Sequence, residues 1–283
     1  MRQLIVAAAT AIGLLAASAA EAQRIDDVVP RDLYTDRLRQ NGNSITICYN
    51  QRAMTAEFDA ALADAIGAVL LVDVKLVDMG DGRIPTHPLD YRLPYLPETL
   101  FVLLAEQCDA IMGYVLSRTA PDWVLLTRPY LSTGNLLVTR DAALASIEDL
   151  PLDKKIGSRS LALSDNRLSA FLLSRPAERR WQRFTYYDNQ KLLDRLDDGT
   201  VAAAVIWEPA LYFASKGDPA AKGYRMLPLP FPDRRTEIGL ATRSNNTYLN
   251  AILGEAIGEL IADGTLRQLI DAYHLGPTSL PQE

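Results

Sequence analysis

Histidine and cysteine are scarce in this chain, which has two of each among its 283 residues. His87 and His274 lie far apart in the sequence and have no metal-ligand spacing, so they predict no zinc site. The chain also lacks a Gly-Lys-Ser phosphate loop and a Gly-x-Ser-x-Gly nucleophile elbow. We therefore predict no catalytic residues, no bound metal and no cofactor.

Positive charge is not in excess, and no long basic run occurs. The 29 lysines and arginines are outnumbered by 35 aspartates and glutamates, which gives a formal net charge of −6. This balance argues against a nucleic-acid partner. Because 48% of the residues are hydrophobic and 23% are charged, the composition also argues against disorder and favours a globular chain.

Long apolar runs are confined to the N-terminus. Arg2 precedes an apolar stretch over 4–20, and the small-x-small pattern Ala-Glu-Ala follows at 20–22. This order is typical of a signal peptide over 1–22 that is cleaved near Ala22, with an uncleaved anchor as the alternative. We expect a soluble periplasmic protein that does not span the membrane after cleavage. Because no cysteine lies near the cleavage point, we expect no lipid anchor.

The N-terminal part of the mature chain has the pattern of α/β units. A β-rich run at 45–49 precedes apolar residues at helical spacing over 58–66, and an alternating strand follows at 72–77. A second helix at 97–106 leads into a strand at 108–113. Helices between strands predict parallel pairing, so these segments indicate an α/β lobe.

The rest of the chain has the same alternation and suits a second lobe, since about 260 residues exceed one small core. Prolines at 228, 230 and 232 mark a connection within it. The predicted strands are 135–139, 154–158, 201–207 and 238–242, and the predicted helices are 190–196, 249–262 and 266–273.

Five segments in order resemble the family-3 periplasmic solute-binding proteins. They include Cys-Asp-Ala-Ile-Met-Gly at 108–113 and Thr-Arg-Pro-Tyr at 127–130, and the others are 58–66, 146–150 and 262–266. The resemblance implies an α/β, type II two-lobed periplasmic-binding-protein fold in which each lobe is a mainly parallel sheet flanked by helices. It also implies a ligand cleft at the hinge and closure of the lobes around a small molecule.

That fold divides the chain discontinuously. Lobe 1 would comprise 41–133 and 238–277, and lobe 2 would comprise 134–237. The chain would cross between them near 132–135 and return near 237–239.

Two departures from the family concern ligand binding. Amino-acid binders of this family use an Arg for the ligand carboxylate and an Asp for its amine, and alignment places Ala120 and Trp207 at those positions. Alanine cannot replace the two-pronged pair that Arg makes. Arg118 reaches the position by a two-residue shift, or it is a solvated loop residue. We expect free α-amino acids to bind poorly.

A narrower set of residues resembles the MxaJ/XoxJ-type proteins associated with quinoprotein methanol and alcohol dehydrogenases. The set includes Cys48, the 126–130 segment, Val-Ile-Trp-x-Pro at 205–209 and Tyr-Phe-Ala at 212–214. The resemblance implies an accessory protein whose partner is the dehydrogenase or its cytochrome. The Pro-rich loop usual after the first strand in that group is replaced by 51–55.

Two other functions stay open. One is a receptor that delivers a small polar solute to an ABC permease, and the other is a small lyase or dehydratase that uses Glu208 as an acid or base.

We expect an inter-lobe site for a small molecule of unknown identity. Trp207 either stacks on that ligand or fills the core between the lobes. Glu208 meets a cationic or polyol ligand or forms a salt bridge, and Ser158 and Ser160 bind an anion or cap a helix. The full predicted set is Tyr49, Asn50, Gly113, Tyr114, Ser117, Arg118, Ser158, Ser160, Trp207 and Glu208.

The two cysteines are expected to be free thiols. Cys48 lies at the end of its predicted strand and Cys108 at the beginning of its own. If the strands are adjacent and level, the Cα atoms are farther apart than the roughly 7 Å that a disulfide tolerates. A register offset of several residues would permit the bond.

Overall fold

A computed structural model describes residues 43–79, 97–117, 120–233 and 235–281. The predicted signal peptide lies outside these residues. In the part that is described, no helix has the length and apolar character needed to cross a membrane.

The first part of the chain folds as predicted into strands and helices that alternate. Its elements are β1 (Ser44–Tyr49), α1 (Ala56–Leu70), β2 (Asp73–Asp78), α2 (Pro97–Val102) continued by a π-helical turn (Leu103–Gln107), β3 (Ala110–Val115), β4 (Val124–Leu126) and β5 (Leu131–Thr133).

Helix α1 shows why these residues form such an element. Phe58, Leu62 and Ile66 recur every four residues and are buried against the sheet. Leu71 then adopts the left-handed conformation with φ 55°, and its N–H closes the last turn.

The second part of the chain forms another set of alternating elements. They are β6 (Asn135–Thr139), β7 (Lys155–Arg159), α3 (Leu163–Leu173), β8 (Gln182–Tyr186), α4 (Asn189–Asp197), β9 (Ala203–Trp207), α5 (Glu208–Ala214) and β10 (Arg225–Leu227). The chain ends with β11 (Thr236–Arg243), α6 (Thr247–Ala262) and α7 (Thr265–Ala272).

The strands form two mixed sheets, which give the predicted two-lobed α/β fold. Sheet 1 has the order β2-β1-β3-β11-β4, with β5 also paired to β11, and sheet 2 has the order β10-β6-β9-β7-β8. Strands joined by helices pair in parallel, as in β1 with β2 and β7 with β8. The strands next to the crossings, β6 and β11, pair antiparallel.

Each sheet is covered by apolar side chains on both faces. Helices α1, α6 and α7 cover one face of sheet 1, and the π-helical turn and Ile111 lie in the cluster that holds the cysteines. In sheet 2, the leucines of α3 pack in one cluster and those of α4 in another. Each lobe is therefore a three-layer sandwich with its own core.

Cys48 and Cys108 form a disulfide with Cα atoms 5.7 Å apart, so the expectation of free thiols is wrong. Strands β1 and β3 are adjacent and parallel, but they are not level. Ile47 and Cys48 at the end of β1 pair with Ala110 and Ile111 at the beginning of β3. Because of this offset, the two cysteines lie close together rather than at opposite ends of the strands.

The two sheets are joined at adjacent connections. Gly134 is the single residue between β5 of sheet 1 and β6 of sheet 2. The chain leaves sheet 2 after β10, passes the three prolines and enters β11, whose first residues pair with β5. Gly239, in the segment 237–239 where we expected the chain to return, lies inside β11 and pairs with Tyr114.

Candidate functional site

A cavity of about 330 Å³ lies between the two sheets next to these connections. Strands β3, β7 and β9 end there at Val115, Arg159 and Trp207, and the carboxyl ends of strands are where open α/β sheets bind ligands. Sheet 1 and its neighbouring residues contribute Val115, Thr133, Thr236 and Ile238. The other lining residues are Asn135, Arg159, Ala162, Leu163, Ser164, Arg167, Asn189, Trp207 and Asp233.

The one carboxylate among the lining residues is already neutralised. Arg167 donates a hydrogen bond to Asp233 at 2.6 Å, and the backbone N–H of Asn135 donates to it at 2.7 Å. The side-chain amide of Asn135 lies within 3.4 Å of both Asp233 oxygens. Asp233 therefore holds the crossing strand and α3 together and has little capacity left for a ligand cation.

Arg159 is the lining residue with uncompensated charge. Its side chain is exposed, and within the described ranges it has no ion-pair partner. It is the last residue of β7, and the first turn of α3 lies beside it on the cavity wall. The N-cap residue of α3 is Ala162, which has no side chain that can cap the helix. This wall is therefore electropositive.

Trp207 lies in the cavity wall as an apolar plate. It is half-buried at the end of β9, where its backbone pairs with Asn135. Its inner side packs against the apolar cluster of sheet 2, which Met54 from the loop after β1 also contacts. Trp207 thus packs at the edge of the sheet 2 core and also lines the cavity, and stacking on a ligand stays a prediction.

The two predicted serines have protein partners. Ser158 is fully buried and donates to Asp165 at 2.6 Å, and Asp165 also pairs with Arg183. Ser160 donates to the backbone oxygen of Tyr186 at 3.1 Å. Neither serine lines the cavity, and neither caps α3. Arg159, which lies between them in sequence, is the residue that lines it.

The predicted residues of lobe 1 lie elsewhere. Tyr49 ends β1 on the same edge as Val115, and Asn50 follows it; neither residue lines the cavity. Asn50 accepts a hydrogen bond from the N–H of Arg52 at 3.0 Å. Gly113, Tyr114, Ser117 and Ala120 line a separate cavity of about 450 Å³. Arg118 lies outside the described residues.

Glu208 lies beside the crossing at Gly134, and it does not line the cavity to which Trp207 contributes. It is 4% exposed, pairs with Arg235 at 3.0 Å and accepts a hydrogen bond from Thr278. Arg235 donates further to the backbone oxygens of Ser132 and Thr278, at 2.6 and 2.7 Å. Glu208 borders another cavity, of about 480 Å³, together with Arg235 and Thr278. The structure therefore gives Glu208 a protein partner of opposite charge, which the sequence analysis offered as one alternative.

A buried polar network supports the end of β3. The hydroxyl of Tyr130 accepts a hydrogen bond from the N–H of Gly113 at 2.8 Å and donates to Asp59 at 3.3 Å. Asp59 also accepts from Thr55 at 2.9 Å. Burial raises the pKa of Asp59 from 3.8 to about 6, although both hydrogen bonds act in the opposite direction. Gly113 has a φ of 77°, so this network fixes a backbone conformation that favours glycine.

Eight polar lining residues of the cavity were not predicted from the sequence, namely Thr133, Asn135, Arg159, Ser164, Arg167, Asn189, Asp233 and Thr236. The side-chain oxygen of Asn189 is buried and has no hydrogen-bond partner in the described part of the protein. The same part holds no group of three or more His, Cys, Asp or Glu residues placed to bind a metal ion.

Comparison with known proteins gives likenesses of structure only. No protein-family model and no curated protein matches the sequence. The second substrate-binding domain of an amino acid ABC transporter of Streptococcus pneumoniae is 18% identical, with a TM-score of 0.61 over 81% of this chain and 99% of that one. The L-cystine solute receptor of Neisseria gonorrhoeae, in its unliganded open conformation, is 19% identical, with a TM-score of 0.61 over 86% and 98%.

A third similar structure is an ancestral amino-acid-binding protein described as a precursor of cyclohexadienyl dehydratase. It is 19% identical, with a TM-score of 0.57 over 84% of this chain and 98% of that one. At such identities the likeness concerns the backbone arrangement and not the ligand. The chain thus has the two-lobed fold of the periplasmic binding proteins.

Proposed function

We propose that the protein is an extracytoplasmic solute-binding protein that binds a small molecule between its lobes. The observation that carries the proposal is the cavity of about 330 Å³, whose lining comes from residues of both sheets. A ligand there contacts both lobes at once, so its binding free energy favours the closed arrangement over the open one.

The connections between the lobes are suited to such closure. Only Gly134 separates β5 from β6, and a Cβ atom at this position would lie 3.3 Å from Arg235 and 3.5 Å from Asp233. The one-residue crossing and the longer return connection beside it permit rotation about one axis while the cores of the two lobes stay intact.

Native mass spectrometry of protein exported to the periplasm tests the proposal, because it detects a retained small molecule. We expect a ligand on the wild type and its loss from the Trp207→Ala variant. The Phe213→Ala variant is the matched control, since Phe213 is an exposed aromatic residue of the same lobe that does not line the cavity. Solution scattering should show compaction when the ligand is added back. Equal retention by both variants would place the ligand elsewhere.

The role of the bound state is a finer proposal with two candidates. The sequence resemblance to the MxaJ/XoxJ-type proteins supports an accessory of a quinoprotein alcohol dehydrogenase, and Trp207 in the cavity wall belongs to the residues that carry it. The similar structures include transporter domains, which supports a receptor for an ABC permease. An accessory would co-purify with the dehydrogenase or its cytochrome, whereas a receptor would stimulate the ATPase of a reconstituted permease.

A lyase function receives less support from the geometry. The acid named for it, Glu208, is buried and paired with Arg235, and it does not line the cavity between the sheets. Assaying the wild type and the Glu208→Gln variant for activity on hydroxy-acid substrates tests this alternative.

A further inference from the structure

The charges in the cavity between the sheets define what kind of solute fits it. Of the three charged lining residues, Arg167 and Asp233 neutralise each other across 2.6 Å. Arg159 has no such partner among the residues described. The lining therefore carries one excess positive charge, on a side chain that can bind a carboxylate through two hydrogen bonds.

A ligand ammonium group finds no free carboxylate among the described lining residues, and the one unpartnered acceptor there, the side-chain oxygen of Asn189, is neutral. Asp233 accepts from the backbone and side chain of Asn135 as well as from Arg167. An ammonium group that displaced Arg167 from Asp233 would leave the Arg167 guanidinium without its counterion. An ammonium group that left this pair intact would lose its water without gaining an anion. The cavity therefore disfavours an amine at the position of an α-amino group.

The remaining wall is suited to an apolar body. Trp207 presents a flat aromatic surface, and Val115 and Ile238 lie across from it on the strands of sheet 1. Leu163, which is 60% exposed, lies on the same cavity wall as Arg159. An apolar or aromatic body placed here would exclude water from both surfaces, which is favourable.

We propose that the ligand is an apolar or aromatic monocarboxylate without an amino group, whose carboxylate binds Arg159 and whose body stacks on Trp207. This inference rests on the proposed solute-binding function and specifies its substrate class. It assigns the positive charge of the site to Arg159 in lobe 2, at the end of β7, and not to the Ala120 region of lobe 1.

Isothermal titration with matched compounds tests the substrate class. 3-Phenylpropionate and L-phenylalanine differ only by the amino group, phenethylamine lacks the carboxylate, and 4-methylpentanoate with L-leucine forms an aliphatic pair. We expect each acid to bind at least tenfold more tightly than its amino acid and phenethylamine not to bind. Arg159→Gln should weaken acid binding at least tenfold. Arg195→Gln should not change it, since Arg195 forms a surface pair with Asp198.

A second variant separates the two parts of the argument. Arg167→Gln removes the guanidinium that neutralises Asp233, so the preference for the acid over the amino acid should narrow. If Arg167 had only a structural role, its replacement would weaken binding of the acid and of the amino acid equally. That result would contradict the argument from charge.

Failure of the proposed substrate class can be distinguished from failure of the proposed solute-binding function. Tighter binding of an amino acid than of its acid would overturn the substrate class while leaving solute binding intact. Absence of binding for every compound would also overturn it, and the mass spectrum of the exported protein decides independently whether a solute is bound.

Discussion

Replacement of Asp59 by Asn should make the protein more stable at neutral pH. Asp59 lies in the first turn of α1 at 4% exposure, and burial raises its pKa from 3.8 to about 6. The folded protein thus holds this proton more tightly than the unfolded chain does. The resulting stabilisation is fully present below pH 3.8 and is lost as the pH rises through about 6, where the buried carboxyl ionises.

The size of the effect follows from the same two pKa values. The difference between 3.8 and about 6 corresponds to about 3 kcal/mol in the free energy of unfolding. Asn has the same shape and no charge at any pH. Its amide can still accept from Tyr130 and can donate to Thr55, so the hydrogen bonds seen in the structure have equivalents. We expect the variant to gain up to about 3 kcal/mol at pH 7.5 and about 1 kcal/mol at pH 4.5.

Urea unfolding of both proteins between pH 4.5 and 8 measures the difference. Asp64→Asn is the matched control, because Asp64 is on the same helix but exposed, and its effect should not vary with pH in this way. A difference between Asp59→Asn and the wild type that stays constant from pH 4.5 to 8 would refute the reasoning.

Three further predictions concern the cores and the hinge. Denatured, unreduced protein should contain no titratable thiol, and replacing Cys48 and Cys108 by Ala should lower the free energy of unfolding by about 4 kcal/mol, because the bond closes a loop with a sequence separation of 60. Gly157→Ala should cost about 1–3 kcal/mol in urea unfolding, since its Cβ would lie 2.5 Å from a buried leucine of α4. Arg235→Gln should cost roughly 3 kcal/mol because it leaves buried Glu208 without a cation, and adding Glu208→Gln should recover most of this loss.

Each of these predictions has a control or an outcome that contradicts it. Two reactive thiols per chain would contradict the offset of β1 and β3. For Gly157, the control is Gly254→Ala. Gly254 lies inside α6, and its Cβ would meet only the backbone nitrogen of Arg128, 3.9 Å away, so this change should stabilise the helix by about 0.5–1 kcal/mol. If the losses in free energy of unfolding of the Arg235→Gln and Glu208→Gln variants simply add in the double variant, Arg235 and Glu208 do not depend on each other.

Local patterns in the sequence were sufficient to predict most of the secondary structure. The strand expected at 45–49 is β1 (Ser44–Tyr49), and the helix expected at 249–262 is α6 (Thr247–Ala262). These elements have one buried face, so the burial pattern appears in the sequence as a period of two or about 3.6. Strand offset has no such local signal, which is why the disulfide was missed.

The candidate site was harder to predict than the fold. Trp207 was found because it ends a strand and replaces an expected Asp. Arg159 ends a strand and Asp233 lies in a proline-rich connection, and only the packing of the two lobes brings them to one cavity. The sequence signal nearest to Arg159 was the pair of serines beside it, and those serines have protein partners.

The acids near the hinge explain why charge in the sequence was a poor guide to the ligand. Glu208 and Asp233 lie close to the crossing at Gly134, and each is paired with an arginine from lobe 2 or from the return connection. Buried carboxylates need such partners, because an unpaired one would cost several kcal/mol. Both acids therefore serve to hold the connections in place. Once they are neutralised, Arg159 determines the charge that the cavity offers to a solute.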